Sequence, residues 1–352
     1  MTNVEIALRR LNNQHIALQC FKTPEDVVAH MGAMQAQDYA GAKWAVGLRM
    51  QKSSDALIEN AMADGRIIRT HLLRPTWHFV TPADARWIID LTASRINAFS
   101  ASRYRQLQLD NPVFAKTNDT LAKALEGGKQ LSRAEVLAVL NSAGIKTDEL
   151  RFIHLLMHAE LDKVICSGGR REKQFTYALF DDRIPAAAPP PKEEALAALT
   201  LRYFNSRGPA TVRDFAWWGG ITMADAGLGL GAVKSGLTSA TVNGLEFWMS
   251  KETENLPGKA PLAYLLPAFD EFAVAYSDRT AIVPTKYVEQ ARHVIFDPSI
   301  IINGQVAGTW KRRLVKQGID LSLNLFGKIN NVQRKCVDAA VARLKKFCGT
   351  KS

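Results

Sequence analysis

Runs with a helical repeat give way several times to short runs of branched and aromatic residues, a pattern that points to small helical units closed by ribbons. The first helical signal spans Val4 to Cys20. Ile6, Leu8, Leu11, Ile16 and Leu18 sit near a helical period, and Arg9 and Arg10 face out. Thr23-Pro24-Glu25-Asp26 starts a second helix, with Thr23 as N-cap and proline at the first position. Another covers Asp55 to Ala63 and is closed by Asp64-Gly65. Residues 66–81 (RIIRTHLLRPTWHFVT) then read as two strands, or one bent ribbon, split at Arg74-Pro75.

The same order returns. Ser132 and Glu135 form a capping box, Thr147 caps the next helix, and Leu150, Ile153, Leu156 and Met157 make its apolar face. Lys163–Cys166 and Gln174–Leu179 pair as a hairpin whose tip carries Arg170, Arg171 and Lys173. Ala186 to Pro191 (AAAPPP) is a stiff linker. A third unit places helices at Glu193–Asn205 and, capped by Thr222, through Val233, with a strand at Gly244–Ser250. Its paired Trp217 and Trp218 read as core. From Pro261 onward the texture is extended: 263–266, 272–275, 281–283, 299–302 and 305–310, with Asn303-Gly304 as a hairpin turn, which reads as a small barrel or an open sheet. Asn330 to Phe347 closes as an amphipathic helix with a basic face.

Helices followed by a ribbon is the order of a winged helix. The expected class is α+β: tandem winged-helix (helix-turn-helix plus wing) units followed by a small C-terminal β-barrel and a terminal helix. The expected bounds are 1–95, a helical connector at 96–130, 131–185, 192–250, a barrel at 260–325 and a helix at 328–349. Unrelated small helical domains are the alternative.

At 352 residues the chain has room for two to four domains. A hydrophobic fraction of 47% with 22% charged residues excludes a largely disordered chain. No stretch is apolar enough to span a bilayer, and the N-terminus lacks the order of a secretory signal, so a cytoplasmic, nucleoid-associated protein is expected, with no membrane and no obligate protein partner. Four scattered cysteines argue against a disulfide framework. Lys and Arg outnumber Asp and Glu by 45 to 34, a net charge of +11, which favours a polyanionic partner, although solubility charge explains it as well.

Four stretches carry a resemblance: MGAMQAQDYAGAKWAVGLR, RTHLLRPTWHFVTPADARW, LLPAFDEFAVAYSDR and INGQVAGTWKRR. Together they resemble the winged-helix DNA glycosylase family typified by the AlkZ and YcaQ proteins. The resemblance implies tandem winged helices and a small barrel that hold double-stranded DNA in a concave face. It also implies a catalytic Gln-x-Gln or Gln-x-Asp motif, matched here by Gln35-Ala36-Gln37; Asp38 falls one position late for the second form. The INGQVAGTWKRR stretch is similar to a DNA-contacting hairpin and points to Lys311, Arg312 and Arg313.

The chemistry is compatible with neutral amides. Breaking an N-glycosidic bond passes through an oxocarbenium-like sugar, and an alkylated purine already carries the charge that makes it leave. Such an enzyme needs a positioned water more than a strong acid or base. A glutamine carbonyl can accept from water while its NH₂ donates. Two glutamines two residues apart share a face only on extended or loop backbone; on a helix they diverge by about 200°, and the plain alternative is two solvent-facing amides. Asp38, Arg74, Thr76 and His78 are supporting candidates, with His78 as a neutral donor or phosphate contact. For Arg74 and His78 the bland alternative is that they satisfy buried polar groups under the first unit; Arg69, His71, Arg170, Arg171 and Lys173 are DNA-binding candidates, with a solvated turn as the alternative for the last three. His154 and His158 lie four apart but lack a third ligand, and Asp270, Glu271 and Asp278 read as partners of arginines or turn caps, so no metal and no cofactor is expected. No lysine is placed as a Schiff-base nucleophile. The expectation is a monofunctional glycosylase for cationic N7- or N3-alkylpurines, including bulky adducts or interstrand crosslinks. The alternative is a non-catalytic winged-helix DNA-binding protein or transcription regulator.

Overall fold

The computed structural model describes residues 1–251, 262–315 and 318–349. Helix α1 (Asn3–Asn13) starts with a capping box between Thr2 and Glu5. It stops before His15, whose φ of 54° breaks the helix well short of the expected Cys20. There follow α2 (Pro24–Met31), the two-residue β1 (Met34–Gln35), α3 (Tyr39–Leu48), α4 (Asp55–Ala63), β2 (Ile68–Leu72) and β3 (Arg74–Val80). Long α5 (Pro82–Gln106) and α6 (Asn111–Leu125) lead into β4 (Leu131–Ser132), α7 (Arg133–Ser142), α8 (Glu149–Leu161), β5 (Ile165–Ser167), β6 (Thr176–Leu179) and the short α9 (Phe180–Arg183). The third stretch holds α10 (Lys192–Arg207), α11 (Val212–Gly219), α12 (Met223–Val233), β7 (Leu237–Val242) and β8 (Leu245–Ser250). The chain ends with β9 (Ala263–Leu266), α13 (Glu271–Val274), β10 (Ser299–Ile302), β11 (Gln305–Val315), β12 (Gly318–Leu325) and α14 (Asn331–Phe347).

The topology repeats. The first two sheets have the orders β1-β3-β2 and β4-β6-β5, so a two-residue strand lying between helices returns to pair with the last strand of its unit. In the third stretch Ala210 makes the same connection as a single bridge to Trp248 in the β7–β8 hairpin. A short extended element can reach the ribbon because Thr23, Ser132, Thr211 and Thr222 cap the neighbouring helices and set where each begins.

The cores cross these repeats. One joins α1–α4 to the C-terminal sheet through residues such as Trp44, Leu265, Ile301, Trp310 and Phe347. A second joins β2, β3 and α5 to α10–α12 through Ile68, Leu72, Phe204, Phe215 and Trp218. A third packs the far half of α5 with α6–α8 around Leu121, Leu140 and Leu155. The fold is mixed α/β, and among the described residues no helix is long and apolar enough to cross a membrane.

Several expectations are corrected. The C-terminal strands form an open four-stranded sheet, β12-β11-β10-β9, rather than a closed barrel, with α14 packed against β9 and β12; residues 260–261 and 316–317 of the expected barrel lie outside the described residues. Asn303 and Gly304 do form the β10–β11 turn, both at positive φ (52° and 82°). Residues 272–275 are not extended: Asp270 caps α13 there, its carboxylate accepting from Phe272 N. Residues 281–283 form a turn. Asp148, not Thr147, caps α8, and α8 turns Phe152, Leu155 and Leu156 inward while Leu150 and Ile153 stay exposed. Of the paired tryptophans only Trp218 is core; Trp217 is 46% exposed. Arg10, expected outside, is buried against the Tyr276 ring, with Cζ 3.5 Å from its centroid, and donates through Nε to Pro209 O.

The buried acids at the start of α13 tie the C-terminal region to the first repeat. Asp270 accepts from both terminal nitrogens of fully buried Arg49 at 3.1 Å. Asp270→Ala leaves that guanidinium buried without a counter-charge, held only by Ala45 O and Gln14 Oε1, which costs about 3–5 kcal/mol. Denaturant unfolding of the variant is expected to show a loss of that size.

Candidate active site

Gln35 occupies the end of β1, and its position there follows from bonds on both sides of the strand. Ala36 N donates to Trp77 O at 2.7 Å on the β3 side, and Gln35 N donates to Glu271 Oε1 at 2.8 Å on the other. The backbone is extended at Gln35 and leaves the strand after it, with Gln37 in a bend ahead of α3. Ala36, between them, is fully buried; Gln35 is buried and Gln37 exposed. Asp38 stands at the N-cap of α3, and its side chain makes no capping hydrogen bond.

Around Gln35 the structure gathers Arg74, Thr76 and His78. Gln35 and His78 are direct cross-strand partners, so their side chains share a face of the sheet. Arg74 Nη2 donates to Gln35 Oε1 at 3.0 Å, while its Nη1 donates to Trp218 O at 2.6 Å. That grip depends on the end of α11 lying close to β3: Gly220, the left-handed C-cap at φ 60°, sits where a Cβ would be 2.1 Å from Leu73 O. Burial lowers the Arg74 pKa to about 10, with nearby Glu271 opposing the shift.

His78 is fully buried. Its Nδ1 lies 2.9 Å from Thr76 O, so Nδ1 carries the proton and donates, leaving Nε2 as an acceptor without a partner. Thr76 Oγ1 is likewise buried and unpaired among the described residues. Burial first, and then the Arg74 charge, push the His78 pKa well below the usual imidazole value. The ring is neutral and presents an acceptor to this face, not the donor expected from sequence.

Beneath lies a network that sequence reasoning misses. Glu271 Oε2 accepts from Arg207 Nε and Nη2 at 2.9 and 2.7 Å and from Trp218 Nε1 at 2.9 Å. Arg207 also holds the carbonyls of Met31 and Ala33, just ahead of β1. Glu271 is visible in the sequence as half of an acidic pair, but Arg207 is 64 residues away and no local pattern marks it.

On the other face of the ribbon, Arg69 and His71 are buried rather than presented to solvent. Arg69 Nε donates to Ala36 O at 3.1 Å, and its guanidinium lies 4.3 Å from the Trp77 ring, 4.9 Å from Phe175 and 5.9 Å from Tyr39. His71 Nδ1 pairs with buried Glu160 at 2.6 Å. A charged residue inside the inward face of α8 is the only sequence sign of Glu160.

The remaining basic candidates are nearer the surface. Arg170 pairs with Glu59, Arg171 pairs with Glu135, and Lys173 is exposed. Lys311, Arg312 and Arg313 are exposed on β11, with Arg313 reaching Asp320 across the hairpin. His158 stacks on Phe114 and pairs with Asp162. Among the described residues no group of three or more His, Cys, Asp or Glu is placed to hold a metal ion.

The model of the AlkZ-like DNA glycosylase family matches residues 28–347, from α2 to the end of α14. The chain belongs to that family. This AlkZ-like chain is thus a DNA glycosylase, a hydrolase of N-glycosidic bonds acting on DNA. It is 23% identical, over 97% of its length and 95% of the relative's, to a Streptomyces sahachiroi protein named interstrand DNA cross-link repair glycosylase. Its fold matches the solved structure of the Streptomyces sahachiroi DNA glycosylase AlkZ with a TM-score of 0.83 at 20% identity, covering 99% of this chain and 97% of that one.

The buried imidazoles give this glycosylase an acid-sensitive fold. The pKa values of His78 and His30 are depressed by burial, that of His30 to about 4. In the unfolded chain both titrate near 6.5. The unfolded state therefore binds more protons below that pH, and stability is present above about 6.5 and lost as pH falls, by about 1.4 kcal/mol per pH unit for each histidine. Denaturation midpoints measured from pH 7.5 to 4.5 are expected to fall along this slope, and His78→Gln is expected to flatten it.

Proposed function

We propose that this glycosylase is monofunctional, that it releases cationic N7- or N3-alkylpurines from double-stranded DNA, and that bulky adducts and interstrand crosslinks are within its range. In this reading the three helix–strand–helix–helix–ribbon repeats are winged helices, and the end of β1 with the turn into α3 supplies the catalytic amides. The observation that carries the reading is Gln35: a buried side-chain carbonyl is held by Arg74 while its backbone N–H is held by Glu271. An amide fixed at both ends is pre-organised, as transition-state stabilisation requires.

Roles follow from hydrogen-bond capacity. The Gln35 carbonyl already accepts from a cation, so its NH₂ is the stronger donor and orients water or sugar. Gln37 is exposed beside it, and its carbonyl accepts from the attacking water. His78 adds a neutral acceptor on the Gln35 face, and Thr76 and Arg74 complete the polar wall. Asp38, free of capping duty, stabilises positive charge developing on the sugar. None of these is a strong base at neutral pH, and the mechanism leans on the charge of the leaving purine. No lysine takes part, so the product is an abasic site.

Double-stranded DNA meets Lys311, Arg312 and Arg313 on β11 and Lys173, Arg170 and Arg171 on the second ribbon. Arg69 and His71 act from below: Arg69 fixes the carbonyl between the two glutamines, and His71 anchors β2 to α8.

Base release from duplexes carrying N7-methylguanine or an N7-linked crosslink tests the reading. Product above the spontaneous rate is expected, with strand breakage only after alkali. Gln35→Ala/Gln37→Ala is expected to lower the rate by at least about 100-fold; full activity in that variant removes the assignment.

Arg69→Lys separates positioning from DNA contact. It keeps the charge but loses the planar stack and the Nε donor. Base release is expected to fall by about tenfold or more, while affinity for undamaged duplex and its salt dependence stay unchanged. A phosphate contact would instead weaken binding and flatten the salt slope.

A further inference from the structure

A cavity of about 580 Å³ opens between α1, the start of α11, β8 and residues 277–294. That volume lies in the range of about 300–1,000 Å³ that encloses small organic ligands. It is not lined by Gln35, Gln37 or any residue of the cluster around them. Ile6, Phe247, Val283 and Val294 give it apolar walls, and four arginines line it against two aspartates: Arg10, Arg213, Arg279 and Arg292 facing Asp214 and Asp278.

The arginines are short of partners. Arg10 is 1% exposed, yet its Nη1 has no hydrogen-bond partner, and its nearest carboxylate oxygen, on Asp214, is 4.0 Å away. Asp214 cannot close in, because its oxygens already accept from Ser277 N, Ser277 Oγ and Thr211 N. Arg279 Nη2 is also buried and unpaired. Arg213 and Arg292 are exposed and make no side-chain hydrogen bond or ion pair among the described residues. A buried guanidinium N–H without an acceptor is costly and rare. An anion entering the cavity would satisfy it.

We propose that this cavity binds a nucleoside 5′-phosphate, with the phosphate on the arginines and the base against Ile6 and Phe247. A single carboxylate satisfies one fork; a phosphate has enough oxygens to meet several guanidiniums at once. The apolar walls take the flat base, which inorganic phosphate lacks. The nucleotide comes either from a DNA strand or from free solution.

Ligand-observed NMR titration of the full chain tests this, with 5′-dGMP, deoxyguanosine and inorganic phosphate as probes. Saturable dGMP binding is expected, at least about tenfold tighter than either deoxyguanosine or phosphate. Arg213→Glu/Arg292→Glu, at exposed positions that leave the fold intact, is expected to weaken dGMP by at least about tenfold, while Arg334→Glu/Lys335→Glu, the same charge change on α14, leaves it unchanged. Absence of saturable binding, phosphate binding as tightly as dGMP, or equal loss in both double variants overturns the proposal. Added undamaged duplex separates the sources: displacement of dGMP identifies a nucleotide of the strand, and retention identifies a free nucleotide. Base release is not read here, so a negative result leaves Gln35 and Gln37 untouched.

Discussion

Two adjacent carboxylates hold the molecule together at its centre. Asp270 and Glu271 are both buried, and each takes an arginine from a different part of the chain, Arg49 from the end of α3 and Arg207 from the end of α10. Buried charges of this kind persist when they are paired and further hydrogen-bonded. Asp270 meets that condition with Arg49 and Phe272 N, and Glu271 with Arg207, Trp218 and Gln35 N. The same atoms that offset desolvation place β1, α11 and α13 against one another. The candidate active site is consequently built on the rigid middle of the fold rather than on a surface loop.

An amide suits that position better than an acid. A carboxylate in place of Gln35 would sit against Arg74 and be drawn into an ion pair, leaving no group free for the proposed chemistry. The glutamine accepts the same hydrogen bond and keeps its NH₂ for other work. His78 shows the same economy: buried beside a cation, the ring stays neutral and keeps one lone pair unspent.

Much of this was legible in the chain. Capping residues such as Thr23, Ser132 and Thr222 mark helix starts because their side chains bond locally, and the Asn-Gly turn of β10–β11 is a matter of two residues. The Gln35-Ala36-Gln37 segment is visible as a pattern, and alternation along residues 74–80 sorts Thr76 and His78 to one face. Long-range choices are not visible. Arg10 and Arg69 look like solvent or phosphate residues, yet both are drawn inside by carbonyls and aromatic rings supplied by other elements, Pro209 and Tyr276 in one case and Ala36, Trp77 and Phe175 in the other. The short runs at 272–275 and 281–283 have strand-like composition, but the Asp270 cap and the turn geometry prevail over propensity. Closure of the last sheet depends on what flanks β9 and β12, and composition is silent on that.

The Glu271 contact to β1 has a separate consequence for solubility. β1 is the outermost strand of its sheet, and a bare outer strand offers unpaired N–H groups on which another chain can template itself. Here the outward N–H of Gln35 is plugged by a carboxylate that cannot donate in return, so a foreign strand would find an acceptor already in the way. The outer edge of β1 is thereby guarded against strand addition by the side chain that also fixes its shape.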